Sequence, residues 1–150
     1  MRRMIVVIFV IVGIVAGWHF FSPSFRSPTV TFPDGAVVRV EIADSSHERT
    51  TGLSEHIFLH EDRGMLFVFD GPAQPSFWMK DMDFPIDIIW ILGETVVGIE
   101  ENVPVLPEGV AEGDMPRYQP ASPVDRVLEV NAGFASVHGL GLGETLDIDP

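Results

Sequence analysis

From Thr29 onward, apolar residues recur with a period of two in short runs divided by turn residues, which restricts the chain to a mostly-β architecture. In AVVRVEIA (36–43), Val38, Val40 and Ile42 alternate with Arg39 and Glu41, the pattern of a strand with one wet face. Pro33, Asp34 and Gly35 supply turn chemistry between this run and TVTF (29–32), so the two predict a hairpin. Ser45 and Glu48 have capping-box spacing and open a short helix that ends near Gly52. GMLFVFD (64–70) is continuously apolar, as in a strand buried on both faces. SFWMK (76–80) and PIDIIWIL (85–92) read as two further strands, with Phe84-Pro85 as the bend between them. Gly93-Glu94 turns the chain into TVVGIEE, and RVLEVNA (126–132) and ETLDID (144–149) complete the set. Gly139 stands where a glycine ends a short helix over GFASVH.

About eight short strands with one or two short helices make an α+β, mostly β domain, a small barrel-like antiparallel sheet. The segment 103–125 fits none of these patterns. It carries five prolines and four acids without periodicity, and a loop of that length is either a solvated excursion or a lid or binding loop.

The domain is preceded by an N-terminal apolar segment. Arg2 and Arg3 lead into Met4–Trp18, which is apolar throughout, and His19, Phe20 and Phe21 extend it toward the length of a membrane span. Residues 1–21 are read as a membrane anchor or signal segment, 22–28 as a linker, and 29–150 as a single β-rich domain. With the arginines held in the cytoplasm, the rest is expected outside it, either membrane-anchored or secreted after signal cleavage. The membrane is then a partner through the N-terminal segment.

The chain has 150 residues, no cysteine and a formal charge of −13. Disulfides, thiol catalysis and cysteine-based zinc sites are therefore excluded. Beyond Arg26 the basic residues are Arg39, Arg49, Arg63, Lys80, Arg117 and Arg126, against all 22 acids. That balance argues against nucleic acid, since neutralising phosphates needs a basic stripe.

Lys80 is the sole lysine of the chain and lies in SFWMKDMDFPIDIIW (76–90). In an extended segment Trp78 and Lys80 share one face while Phe77 and Met79 take the other. An indole wall beside an ammonium suits a flat or anionic ligand, combining apolar area with one placed charge. Asp87 and Glu129 interrupt apolar strands, and Glu129 shares a face with Val127 and Asn131. Charges in such positions must find partners, because burying one alone costs several kcal/mol. Two readings follow. In one, Lys80 neutralises Asp87 or Glu129 as a polar plug in the core; in the other, Trp78, Lys80, Asp87, Glu129 and Asn131 line a pocket.

His56 and His60 are spaced i, i+4 and are the weak candidates for a metal, in a context that reads as a loop. GLGLGE (139–144) lacks the strand-before and helix-after context of a phosphate loop, and no serine sits in a nucleophile-elbow context. No cofactor is implied.

Glu48-Arg49-x-x-Gly52-Leu53, Arg63-Gly64-Met65-Leu66-Phe67-Val68-Phe69, Phe77-Trp78-Met79-Lys80 and Phe84-Pro85-Ile86-Asp87-Ile88-Ile89 occur in that order. Val127-Leu128-Glu129-Val130-Asn131-Ala132-Gly133 and Gly139 to Glu144 close the series. In this the chain resembles the domain of unknown function 192 family over roughly residues 36 to 148. The resemblance implies a compact β-rich domain, often exported, with no activity to carry over; Arg49 is a further candidate ligand-binding residue. Ser54 and His56 stand where that family usually has Met and Arg, and Asp81-Met82 where it has Asn-Thr.

The leading expectation is an exported, membrane-tethered module that binds a small anionic or sugar-like ligand around Trp78 and Lys80. The alternatives are an enzyme using Asp87 or Glu129 as general base with Lys80 as electrostatic stabiliser, and a structural or partner-binding envelope domain. The oligomeric state is not legible in the sequence.

Overall fold

A computed structural model of the protein describes residues 27–149. The anchor or signal segment expected over 1–21, and the linker as far as Arg26, lie outside the described residues. Among the described residues no helix is long and apolar enough to cross a membrane.

The elements run β1 (Thr29–Thr31), β2 (Val37–Ala43), α1 (Ser46–Thr51), β3 (Arg63–Ala73), β4 (Ile86–Leu92), β5 (Thr95–Val103), β6 (Val124–Asn131), α2 (Phe134–Val137) and β7 (Asp147–Asp149), with a 3-10 turn at Glu112–Asp114 before β6. The seven strands form one sheet in the order β5-β4-β6-β3-β2-β1-β7. The edges approach each other at one end: Thr95 bridges Thr145, and the Val96 amide donates to the Glu144 carbonyl over 2.9 Å. The sheet is thus curled into a half-barrel, matching the mostly-β, barrel-like expectation.

All neighbouring strands pair antiparallel except β2 and β3, which are parallel in the register Val40 to Gly64 and Ile42 to Leu66. A parallel pair needs a crossover connection, and α1 lies in it. The helix begins as the sequence predicts. The Glu48 amide donates to Ser45 Oγ over 3.2 Å, and Glu48 Oε2 accepts the Ser45 amide at 2.9 Å. The Ser45 amide and hydroxyl, both donating to Glu48 Oε2, hold the Glu48 carboxyl below the usual carboxylate range.

The sheet has two apolar faces. Val30, Val38, Val40, Leu66, Ile89 and Leu128 belong to one buried cluster, which fills the curl; Met65, Phe67, Ile88, Trp90 and Val127 belong to the other. Adjacent residues of β3, β4 and β6 fall into alternate clusters, as the pleat requires. The second face is covered by segments 74–85 and 104–123, not by a second sheet.

One expected strand is absent. Residues 76–80 form a single bridge, Phe77 with Tyr118, and then a turn in which Asp81 has φ 57°. Aspartate tolerates that left-handed conformation, and the turn stops strand growth. The division of faces survives without the strand: Met79 is buried and Phe77 packs beside it in the second cluster, while Trp78 and Lys80 are half-buried.

Gly64 marks the tightest approach in the sheet. A Cβ there would lie 2.6 Å from the Glu129 carbonyl oxygen. The residue paired with Val130, one place from the end of β6, therefore has to be glycine for β3 and β6 to keep their spacing.

Candidate functional site

A cleft of about 300 Å³ opens on the second face of the sheet, between α1 and the covering segments. Its apolar lining comes from Leu53, Phe67, Phe69 and Phe77. Phe67 and Phe77 pack edge to face with centroids 4.9 Å apart, and Phe77 meets Trp90 in the same way at 5.5 Å. This aromatic stack fixes the position of the residues that follow Phe77.

Three cations converge on the cleft from three different elements: Arg49, Lys80 and Arg117. Arg49 stands on α1. Its Nη1 donates to the Val68 carbonyl over 2.9 Å and also to the Asp44 carbonyl, and its guanidinium lies 5.4 Å from the Phe69 ring centre. One end of the fork is thereby pinned to backbone, and the geometry leaves its other N–H groups to the cleft. Lys80 Nζ lies 5.3 Å from the Trp78 ring centre, and the Arg117 guanidinium lies 3.6 Å from it. Both distances are within the range of cation–π attraction.

The expected pairing of Lys80 with Asp87 or Glu129 does not occur. Lys80 Nζ instead donates to Glu112 Oε2 over 2.9 Å, an ion pair open to solvent. Glu112 comes from the 3-10 turn of the long loop and Arg117 from five residues beyond. The prolyl segment 103–125 is therefore tied to the site: Tyr118 exchanges backbone hydrogen bonds with Phe77, and Gln74 Nε2 donates to the Pro120 carbonyl. The pair with Glu112 raises the Lys80 pKa and lowers that of Glu112.

Glu129 also lines the cleft and is 5% exposed. It sits two places from the end of β6, opposite Met65 of β3 and Ile88 of β4. Its carboxyl makes no hydrogen bond or ion pair with any described residue. Burial alone pushes it up to about 8, so at neutral pH it is a carboxylic acid capable of donating a hydrogen bond.

Asp87 is fully buried but on the other face. It pairs with Val130 in the register that sets Ile88 against Glu129. Its Oδ1 accepts the amides of Asn102 at 2.7 Å and Gly133 at 2.9 Å, and its Oδ2 accepts the Ala135 amide at 2.9 Å. Asp87 thus joins the end of β5 to the first turn of α2 and stands away from Lys80. Asn131 is likewise apart from the cleft, and its Nδ2 donates to the His60 carbonyl over 2.9 Å. Of the residues expected at the site, the cleft brings together Trp78, Lys80, Glu129 and Arg49, and leaves out Asp87 and Asn131. Arg117 was missed; its one signal in the sequence is that it is a base in a loop otherwise rich in acids.

The two histidines do not cooperate. His56 Nε2 lies 3.1 Å from Glu41 Oε1, and the His60 ring packs against Phe58. Among the described residues no cluster of three or more His, Cys, Asp or Glu side chains could hold a metal ion.

Fold and cleft together define a class: a small half-barrel domain with one cation-lined aromatic cleft outside its curl. The chain belongs to the DUF192 family (Uncharacterized ACR), whose model matches residues 29–148. It is similar to the crystal structure of a protein of unknown function from Novosphingobium aromaticivorans DSM 12444. The identity is 32% and the TM-score 0.68, with 80% of this chain and 82% of that one covered. It is also similar to a protein from Sinorhizobium meliloti 1021 described as a candidate transcription regulator, at 28% identity and TM-score 0.69, covering 81% and 91%. A search of the curated proteins finds no match.

Proposed function

We propose that the domain is a binding module that takes a small anionic or sugar-like ligand in the cleft beside Trp78, working outside the cytoplasm on its N-terminal apolar segment or after release from it. One observation carries this reading. Of the six basic residues beyond Arg26, Arg49, Lys80 and Arg117 gather at one cleft in a domain with 22 acids. Self-repulsion drives like charges apart on a surface, so their assembly around an indole is best accounted for by an anionic guest. The indole adds apolar area for a ring or short carbon chain, and Arg49 and Arg117 offer forked donors for a carboxylate or phosphate.

A role on nucleic acid does not fit this charge pattern. Three bases in a cleft of this size can hold one anionic group but cannot track a phosphate backbone. Catalysis by Asp87 does not fit either, because three amides occupy its carboxylate.

The test is the melting of the full-length protein against a panel of small carboxylates, phosphate esters and sugars. A ligand at a hundredfold excess over its Kd stabilises by about 2.7 kcal/mol. An upward shift in Tm that disappears in Trp78→Ala is the expected result. A panel that leaves Tm unmoved speaks against the reading.

A further inference from the structure

Folding does not explain the Glu129 carboxyl. Its side chain is almost wholly removed from water in the middle of the sheet, it lines the cleft, and it has no partner among the described residues. An apolar residue would pack there at no desolvation cost, and an unsatisfied buried carboxyl costs stability. The strands on either side give it no hydrogen bond: Met65 and Phe67 face it from β3, Ile88 and Trp90 lie on the same side of β4, and the buried Trp90 indole N–H is itself unpaired among the described residues.

We propose that the cleft holds the anionic oxygens of its ligand between the three cations and Glu129 acting as a hydrogen-bond-donating carboxylic acid, so that binding retains one proton in the site. This deepens the binding-module reading and rests on it. The guest is then an oxyanion, a carboxylate or a tetrahedral phosphate-like group. An ionised Glu129 would meet it as a like charge in a desolvated place, so the cleft takes such a guest only while the acid keeps its proton.

The charged groups that line the cleft are Arg49, Lys80, Arg117 and Glu129. Arg49 contributes from α1, and Arg117 and Lys80 from the covering segments; none forms an ion pair with Glu129. Arginine stays charged throughout. Lys80 is shifted upward and its partner Glu112 downward, both away from neutrality. His56, on the connection from α1 to β3, lies 3.1 Å from Glu41 Oε1 and does not line the cleft. Burial of Glu129 places its titration near 8.

The experiment is calorimetric titration of the full-length protein with glucuronate, sulfate and glucose at about pH 6 and about pH 9.5, either side of the Glu129 titration. Glucuronate and sulfate keep their charge over this interval, so a change in affinity belongs to the protein. At least one of the two anions is expected to bind at the lower pH and to weaken roughly tenfold or more at the higher. Comparing the two anions tells a planar carboxylate site from a tetrahedral one. Glu129→Gln, which keeps a neutral donor but cannot ionise, should bind with no such pH slope. Repeating the wild-type titration near the Glu129 pKa in buffers of different ionisation enthalpy reads proton uptake without any variant. Anion binding that is equal at both pH values, a slope that persists in Glu129→Gln, or glucose binding more tightly than both anions each overturns the proton-linked site and leaves the binding module standing. If none of the probes binds at either pH, both fall.

Discussion

The guanidinium of Arg117 lies 3.6 Å from the centre of the Trp78 ring, closing one side of the cleft with a residue of the long loop that precedes β6. Stacking of an exposed guanidinium on an indole contributes about 0.5–1 kcal/mol. Arg117→Ala is therefore expected to lower stability by about that much and to weaken anion binding. Arg117→Lys should not restore the binding, because an ammonium neither stacks nor presents a planar fork. Urea midpoints and anion titrations of the two variants check this; equal binding by wild type and Arg117→Ala would remove Arg117 from the site.

Lys80→Met separates the two sequence-based answers for this lysine. Its partner Glu112 is exposed, and exposed ion pairs contribute little because solvent screens them. The urea midpoint should therefore stay where it is in the variant. Anion affinity should fall roughly tenfold, as for a lost charge-assisted hydrogen bond. A large loss of stability would instead mean that the lysine meets a buried acid.

Glu129 makes stability depend on pH with an unusual sign for a carboxylate. The unfolded chain releases this proton near its ordinary value of 4.5, while the native protein holds it up to about 8. Between those values the native state binds more protons than the unfolded state, so stability falls as pH rises through this interval and levels off above it. The loss is on the order of 5 kcal/mol. Glu129→Gln should remove that slope and be the more stable protein at alkaline pH. Urea unfolding of both proteins from roughly pH 5 to pH 9 gives the comparison, and parallel curves would place the raised pKa elsewhere.

Asp87 should behave as a structural residue with no part in binding. Asp87→Asn turns an amide toward backbone N–H groups that need acceptors, at a cost of about 2–4 kcal/mol. Once folded, the variant should bind anions as the wild type does, because Asp87 and the cleft lie on opposite faces of the sheet. Stability by chemical denaturation and affinity by titration are read on the same sample. An intact midpoint with lost binding would reverse the assignment.

Local sequence pattern carried much of this architecture. Alternation fixed the faces of β2 and β6, the Ser45–Glu48 spacing fixed the start of α1, and Gly93 fixed the β4–β5 turn, because each is decided within a few residues. The partition of Trp78 from Phe77 and Met79 was legible for the same reason, even though no strand forms there. Pairing across the chain was not. That Asp87 opposes Val130 while Ile88 opposes Glu129 depends on a register between strands far apart in sequence, and a slip of one residue would have put both acids on one face. The parallel pairing of β2 with β3 is likewise a property of the crossover. Arg117 and Glu112 reach the cleft from an aperiodic loop, where side-chain direction has no pattern to follow.

Gly64→Ala tests whether the spacing of β3 and β6 is what holds Glu129 in place. The added methyl would stand 2.6 Å from the Glu129 carbonyl oxygen, and within 3.2 Å of both Val38 and Val130 side chains. A flexible side chain could yield, but a backbone oxygen in the middle of a sheet cannot move without shifting its strand. Overpacking of this kind costs about 1–3 kcal/mol. Because the displaced strand carries Glu129, the alkaline slope in stability should also shrink as water reaches the carboxyl and its pKa returns toward the ordinary range. Urea midpoints at acid and alkaline pH measure both effects together. A variant as stable as wild type would show that β6 tolerates the methyl. A destabilised variant that keeps the full slope would show that the burial of Glu129 does not depend on the contact at Gly64.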